Sequence, residues 1–231
     1  MGAGGRLGAV WPLFDLVVRT PRLELRLPRE EEFPDVVALA DEGIHDPDTM
    51  PFFVAWTDVE PARRARESAQ WLWGRRADWS PDKWTFTGAV FVDGVVVGIQ
   101  DVGAERFAAV RSVETGSWLA RAHQGQGLGR EMREAVLHLA FAGLGAEEAL
   151  SGAFEDNAAS LATSRAIGYA ENGEARGPRR DGSGRTIRFR LDRATWERRR
   201  RDDIEIHGLE RCLELFVGTT PAGEPATPAA P

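Results

Sequence analysis

Residues 124–130 read Gln124-Gly125-Gln126-Gly127-Leu128-Gly129-Arg130, with glycine at every second position between a strand-like run and an amphipathic helix. A backbone this bare can turn its N–H groups toward an anion with no Cβ in the way. The helix that follows adds unpaired N-terminal donors and the positive end of its dipole. The stretch therefore predicts a pyrophosphate cradle at a strand-to-helix junction. Spacing excludes two common cradles. A dinucleotide fold needs glycine where Arg130 stands, and a P-loop needs a Lys-Ser/Thr pair, whereas the single lysine is Lys83, far upstream. A glycine-rich turn with no ligand is the alternative.

The flanks favour the cradle. Residues 111–120 have the β-branched and aromatic character of a strand. Leu128, Met132, Val136, Leu139 and Phe141 then recur at helical spacing until Gly143 and Gly145 end the run. Residues 149–154 read as a short buried strand, Asn157 and Ser160 open a second helix, and Ile167-Gly168-Tyr169 closes it. This order resembles the core of the GNAT acetyltransferase superfamily, with Gln124, Gly127 and Gly129 matching its Gln-x-x-Gly-x-Gly loop. Thr20-Pro21-Arg22-Leu23-Glu24-Leu25-Arg26 is similar to the first strand of the RimJ/RimL branch of N-terminal acetyltransferases. The resemblance spans residues 16–192. It implies the GNAT fold, a single α/β (α+β) domain whose mixed, mostly antiparallel central sheet is flanked by helices and splayed at the cofactor cleft.

The same resemblance assigns roles. Acyl transfer from acetyl-CoA, with CoA as product, needs a held thioester carbonyl, a deprotonated amine and a proton for the leaving thiolate. The amine attacks directly in a ternary complex, so no covalent enzyme nucleophile is required. Gln124, Gly125, Gln126, Gly127, Leu128, Gly129 and Arg130 would hold the pyrophosphate, the main chain of Trp118 and Leu119 the pantetheine arm, and Asn157 would support the cofactor. Arg121, Arg130 and Arg165 are alternatives for the ribose phosphate. Glu114 is the candidate base and Ser160 the candidate acid; a solvent-facing strand glutamate and a helix-capping serine are the plain readings of the same residues. Many superfamily members carry a tyrosine seven residues after the asparagine. Here that place is Ser164, and the only tyrosine, Tyr169, reads as core. The acceptor pocket is expected from His45, Phe53 and Trp56, three aromatics including Phe52 lying within five residues.

The remaining chain reads as follows. Residues 1–15 are expected to be loose, and residues 16–27 to form one or two short strands. Helices are expected over 30–41 and 61–78, and a hairpin across Asp93-Gly94. A late strand pair is expected over 169–175 and 185–192, around a flexible arginine-rich tip. Residues 193–217 read as a C-terminal helical extension, a surface for a homodimer, and 218–231 as a disordered Pro/Ala-rich tail. Trp71, Trp73, Trp79 and Trp84 are read as packing residues.

Composition narrows the function class. At 231 residues and net charge −7, the chain suits one substantial domain and not a general nucleic-acid binder, unless an aminoacyl-tRNA is the acyl donor. Arg198, Arg199, Arg200 and Arg201 read as a solvated face balanced by Asp202, Asp203 and Glu205. No run suggests a membrane span or export signal, which points to a cytoplasmic address. The single cysteine, Cys212, permits no internal disulfide and no metal cluster of its own, and reads as a packed thiol. The expected enzyme is an N-acetyltransferase without a metal, acting on a small-molecule amine or a peptide N-terminus. The alternatives are another acyl donor or a non-catalytic CoA-binding module.

Overall fold

The computed structural model describes residues 5–218. A short helix α1 (Gly5–Gly8) precedes strands β1 (Val17–Arg19) and β2 (Glu24–Arg26), and helices α2 (Phe33–Glu42) and α3 (Pro61–Ala77) follow. Helix α3 starts where its signals place it. Pro61 opens the first turn and the Glu60 carboxylate accepts the Arg63 N–H at 3.1 Å. Strands β3 (Lys83–Val92) and β4 (Val95–Glu105) turn back across Asp93 and Gly94, at φ 50° and 80°, as a two-residue hairpin requires. A one-turn helix α4 (Phe107–Val110) leads into β5 (Ser112–Leu119). Helix α5 (Leu128–His138), strand β6 (Glu148–Phe154), helix α6 (Ala158–Ile167) and the hairpin β7 (Ala170–Arg179) and β8 (Gly182–Asp192) come next. Helix α7 (Arg193–Glu197), strand β9 (Glu205–His207) and helix α8 (Leu213–Val217) end the described chain.

The nine strands form one sheet in the order β7-β8-β6-β5-β4-β3-β2-β1-β9. Every neighbouring pair is antiparallel except β5 and β6. Period-two alternation divides its faces. Val113 and Leu119 of β5 pack with Leu128, Met132 and Val136 of α5 and Leu161 of α6. On the opposite face Val36 and Leu39 of α2 cover Ala89, Ile99 and Phe91, with Trp118 at the margin.

Four expectations change. Residues 12–15 are not loose but form a 3₁₀ turn whose Leu13 and Asp15 are buried. The C-terminal extension is not a continuous helix: β9 pairs with β1, and Phe216 is fully buried, so a self-association surface along a long C-terminal helix loses its basis. The arginine-rich tip is strand-paired up to Arg179 and Gly182. Trp84 is buried and Trp79 stacks on it at 5.8 Å, yet Trp71 and Trp73 lie exposed on α3, Trp73 leaning on Phe33. Cys212 is buried, and burial, with Glu210 and Asp15 nearby, pushes its thiol up to about 12, which removes it as a nucleophile. No helix among the described residues is long and apolar enough to cross a membrane. The expected tail from residue 219 onward lies outside the described residues.

Candidate active site

The glycine loop turns as a cradle must. Gly125 and Gly127 sit at φ 72° and 79°, the left-handed region that side chains resist, and a Cβ at Gly125 or Gly129 would meet nothing within 4 Å. Gly127 caps α5, whose first N–H groups have no intrahelical acceptor. The loop is fastened from outside. Arg22 donates to the Gln126 carbonyl at 2.9 Å and to Glu131 at 2.6 Å, and Thr20 donates to the same carboxylate at 2.6 Å. Burial opposes ionisation of Glu131, but hydrogen bonds from Thr20 and Arg22 and the nearby arginine charges outweigh it and hold the carboxyl below its usual range. The opening strand motif therefore serves the loop, a link no local pattern reveals. Gln124 also works structurally: its amide donates at 2.7 Å to both Ile44 and Leu119 carbonyls. Arg130 is exposed and pairs with Glu134 at 2.8 Å.

Beside the loop the sheet opens. Strands β5 and β6 pair only over Ser112, Val113 and Glu114 with Glu148, Ala149 and Leu150. Beyond that point Trp118 and Leu119 remain bound to β4 but not to β6, leaving a V-shaped cleft that points at the cradle. Arg133 of α5 spans the V from below. Its guanidinium donates to Ser117 of β5 at 3.0 Å and to Ser151 of β6 at 3.2 Å. The side chain is buried, its Nε has no partner among the described residues, and burial lowers its pKa, partly offset by Tyr169. Sequence reading missed this residue because its two partners lie on different strands. Tyr169 is core, its hydroxyl 3.5 Å from Thr115 Oγ1.

A loop over residues 44–58 crosses the mouth of the V. Trp56 packs on Trp118 of β5 at 5.8 Å and Phe53 on Phe154 of β6 at 5.1 Å, so one aromatic seats on each diverging strand. Phe53 reaches there because Gly177 has no side chain; a Cβ would stand 3.2 Å from its ring. Both His45 ring nitrogens are engaged, by the Asp46 carbonyl at 2.8 Å and Thr57 Oγ1 at 2.7 Å, which fixes the ring against Phe52. Arg179 and Arg180 of the β7–β8 hairpin hold this loop, through the Met50 carbonyl and through Asp58, Pro47 and Thr49.

The remaining polar groups divide by position. Glu114 stands exposed at the last β5–β6 pair, on the face shared with Trp118. Asn157 Oδ1 accepts the Ser160 N–H at 3.2 Å, so the asparagine caps α6 and Ser160 sits in its first turn. Asp101 of β4, which sequence reading passed over, faces Gly116 and Thr87 across its two ladders. Burial pushes its carboxyl up to about 7, moderated by Thr87 and by the Arg75 charge. An aspartate next to Gln100 inside the mostly apolar run 95–102 was the available signal, though a faint one. Among the described residues no group of His, Cys, Asp and Glu could hold a metal ion.

Glycine cradle, open V and helix N-terminus together fit a CoA-type ligand: bare backbone at the phosphates, unpaired strand edge along the arm. The comparisons agree. Residues 22–170 match the family described as the acetyltransferase (GNAT) domain. Among solved structures, Mycobacterium smegmatis RimJ in complex with CoA-disulfide is 19% identical with a TM-score of 0.65, covering 87% of this chain and 94% of that one. RimL, a ribosomal L7/L12 α-N-protein acetyltransferase in complex with CoA, is 16% identical with a TM-score of 0.58, covering 76% and 97%. A chimeric spermidine N-acetyltransferase from Vibrio cholerae is 16% identical with a TM-score of 0.61, covering 77% and 99%. With the family matched over most of its length, the chain belongs to the GNAT acetyltransferases, in the fold shared by RimJ and RimL.

Proposed function

We infer that this enzyme transfers the acetyl group of acetyl-CoA to a primary amine of a small molecule or protein N-terminus by direct attack in a ternary complex. The aromatic loop roofing a V-shaped cleft that ends at the glycine cradle carries this reading. Bound acetyl-CoA supplies the thioester that is cleaved. The backbone from Gly125 to Arg130 and the α5 N-terminus bind the pyrophosphate, and the main chain of Trp118 and Leu119 orients the arm. Asn157 shapes the turn beneath the thiol, and Ser160 gives the thiolate its proton. Glu114 draws the cationic amine to the cleft and takes a proton from it directly or through water, and His45, Phe53 and Trp56 form the wall against its apolar body. A tRNA donor is disfavoured by the net charge of −7 and because half of the basic run is engaged by carboxylates, Arg200 by Asp202 and Arg201 by Asp203 and Glu134.

Calorimetry with acetyl-CoA, followed by an amine-library screen reading thiol release, tests the reading. Micromolar binding, abolished in Gly127→Asp, together with turnover of at least one amine, is the expected result. Cofactor binding with no turnover of any amine would indicate a CoA-binding module instead.

A further inference from the structure

Gly116 marks an open place on the sheet. A Cβ built there meets nothing within 4 Å, although the residue lies mid-strand between Glu114 and Trp118 on the roofed face. Directly across the β4–β5 ladder stands Asp101, about 4.5–5.5 Å away between paired positions, and Glu114 is its diagonal neighbour at about 7–8 Å. Asp101 Oδ1 is sealed from solvent beside Thr87 Oγ1 on the adjoining strand, whose hydroxyl holds the Asp101 pKa down against its burial. Arg75 from α3 is the positive charge that acts on the carboxyl, Glu114 is the charged side chain beside it on β5, and α2 brings apolar Val36 and Leu39 to this face.

Resting on the acetyltransferase reading, we propose that the acceptor amine sits over Gly116 and gives its proton to Asp101, with Glu114 as the outer carboxylate that recruits the cation. One N–H proton passes to the Asp101 carboxylate. The freed nitrogen lone pair forms the C–N bond at the thioester carbonyl, and the electron pair of the breaking C–S bond leaves on sulfur, which takes a proton from Ser160 as the serine hydroxyl recovers one from water. The tetrahedral nitrogen sheds its second proton through Glu114 to water. A carboxyl that titrates near neutrality suits this task better than an exposed one, because it is basic enough to deprotonate an ammonium yet ionised at working pH.

Two variants test the proposal. Asp101→Asn is expected to lower kcat/KM about 10²–10⁴-fold and abolish the acidic limb of its pH profile, while calorimetric CoA affinity is unchanged. In ligand-free protein labelled at aspartate Cγ, NMR should show one carboxyl titrating near neutrality, missing from this variant. Gly116→Val fills the open place without straining the strand and should raise the amine KM with CoA affinity intact. Wild-type turnover and pH profile in both variants would overturn the Asp101 assignment alone. Failure of the wild type to bind CoA or turn over any amine would overturn the acetyltransferase reading, and this proposal with it.

Discussion

Asp101 costs the fold stability by the same burial that suits it to proton transfer. Its carboxyl rises from 3.8 to about 7, so the protonated form is the one the folded chain prefers. The stability kept by the protonated carboxyl is fully present below about pH 4 and is lost as pH climbs through 7, where the cost appears. Asp101→Asn mimics the protonated carboxyl. Urea unfolding should find the variant and wild type equal near pH 4 and the variant more stable at pH 8, by up to ~4 kcal/mol. Equal stability at both values would show that the carboxyl is hydrated and titrates normally. A stabilising change that lowers turnover is the trade expected of a functional group held at a cost.

At the level of elements, the cleft is a break in one strand pair, and Arg133 explains why the break persists. Closing the β5–β6 ladder beyond Leu150 would squeeze out a buried guanidinium held by one hydroxyl from each strand. Removing the charge eliminates its desolvation cost but leaves Ser117 and Ser151 to find each other or nothing. Arg133→Met should therefore weaken CoA binding by about tenfold or more, ~1.4 kcal/mol in calorimetry, with a change in melting temperature of only a few degrees. Undiminished CoA affinity would show that the V is set by backbone twist alone. The roof follows a different logic. Its aromatics seat on both strands, and the β7–β8 hairpin clamps it through Arg179 and Arg180, so pocket shape depends on a distant hairpin.

For the whole molecule, the C-terminal segment belongs to the core. Phe216 lies edge-on to Trp84 at 4.8 Å and to Trp79 at 5.1 Å, and its carbonyl accepts the Trp84 indole N–H at 3.0 Å. Strand β9 meanwhile covers the edge left by β1. Phe216→Ala should cost ~3–5 kcal/mol, the usual penalty for emptying a buried aromatic site, measurable by thermal melting. A much smaller loss would mean that the segment docks weakly and folds apart from the domain.

Most strands, the principal helices and the turn of the glycine loop were legible because their signals are local. Glycine at positive φ, Pro61 after Glu60, and the Asp93-Gly94 hairpin each act within a few residues, where chain order and spatial order coincide. The arrangement around the reaction centre was not legible. Arg133 is indistinguishable from a solvated helix arginine until β5 and β6 diverge above it, and Asp101 is an ordinary strand aspartate until Gly116 is placed opposite. The C-terminal stretch read as helix because its amphipathic pattern fits one; pairing with β1 and packing on Trp84 override that propensity. Outside the two ends of the chain, sequence alone determined which segments become helix, strand and glycine loop. Tertiary structure decided which side chains share the cleft and what each costs to bury, because those energies depend on neighbours brought from far along the chain.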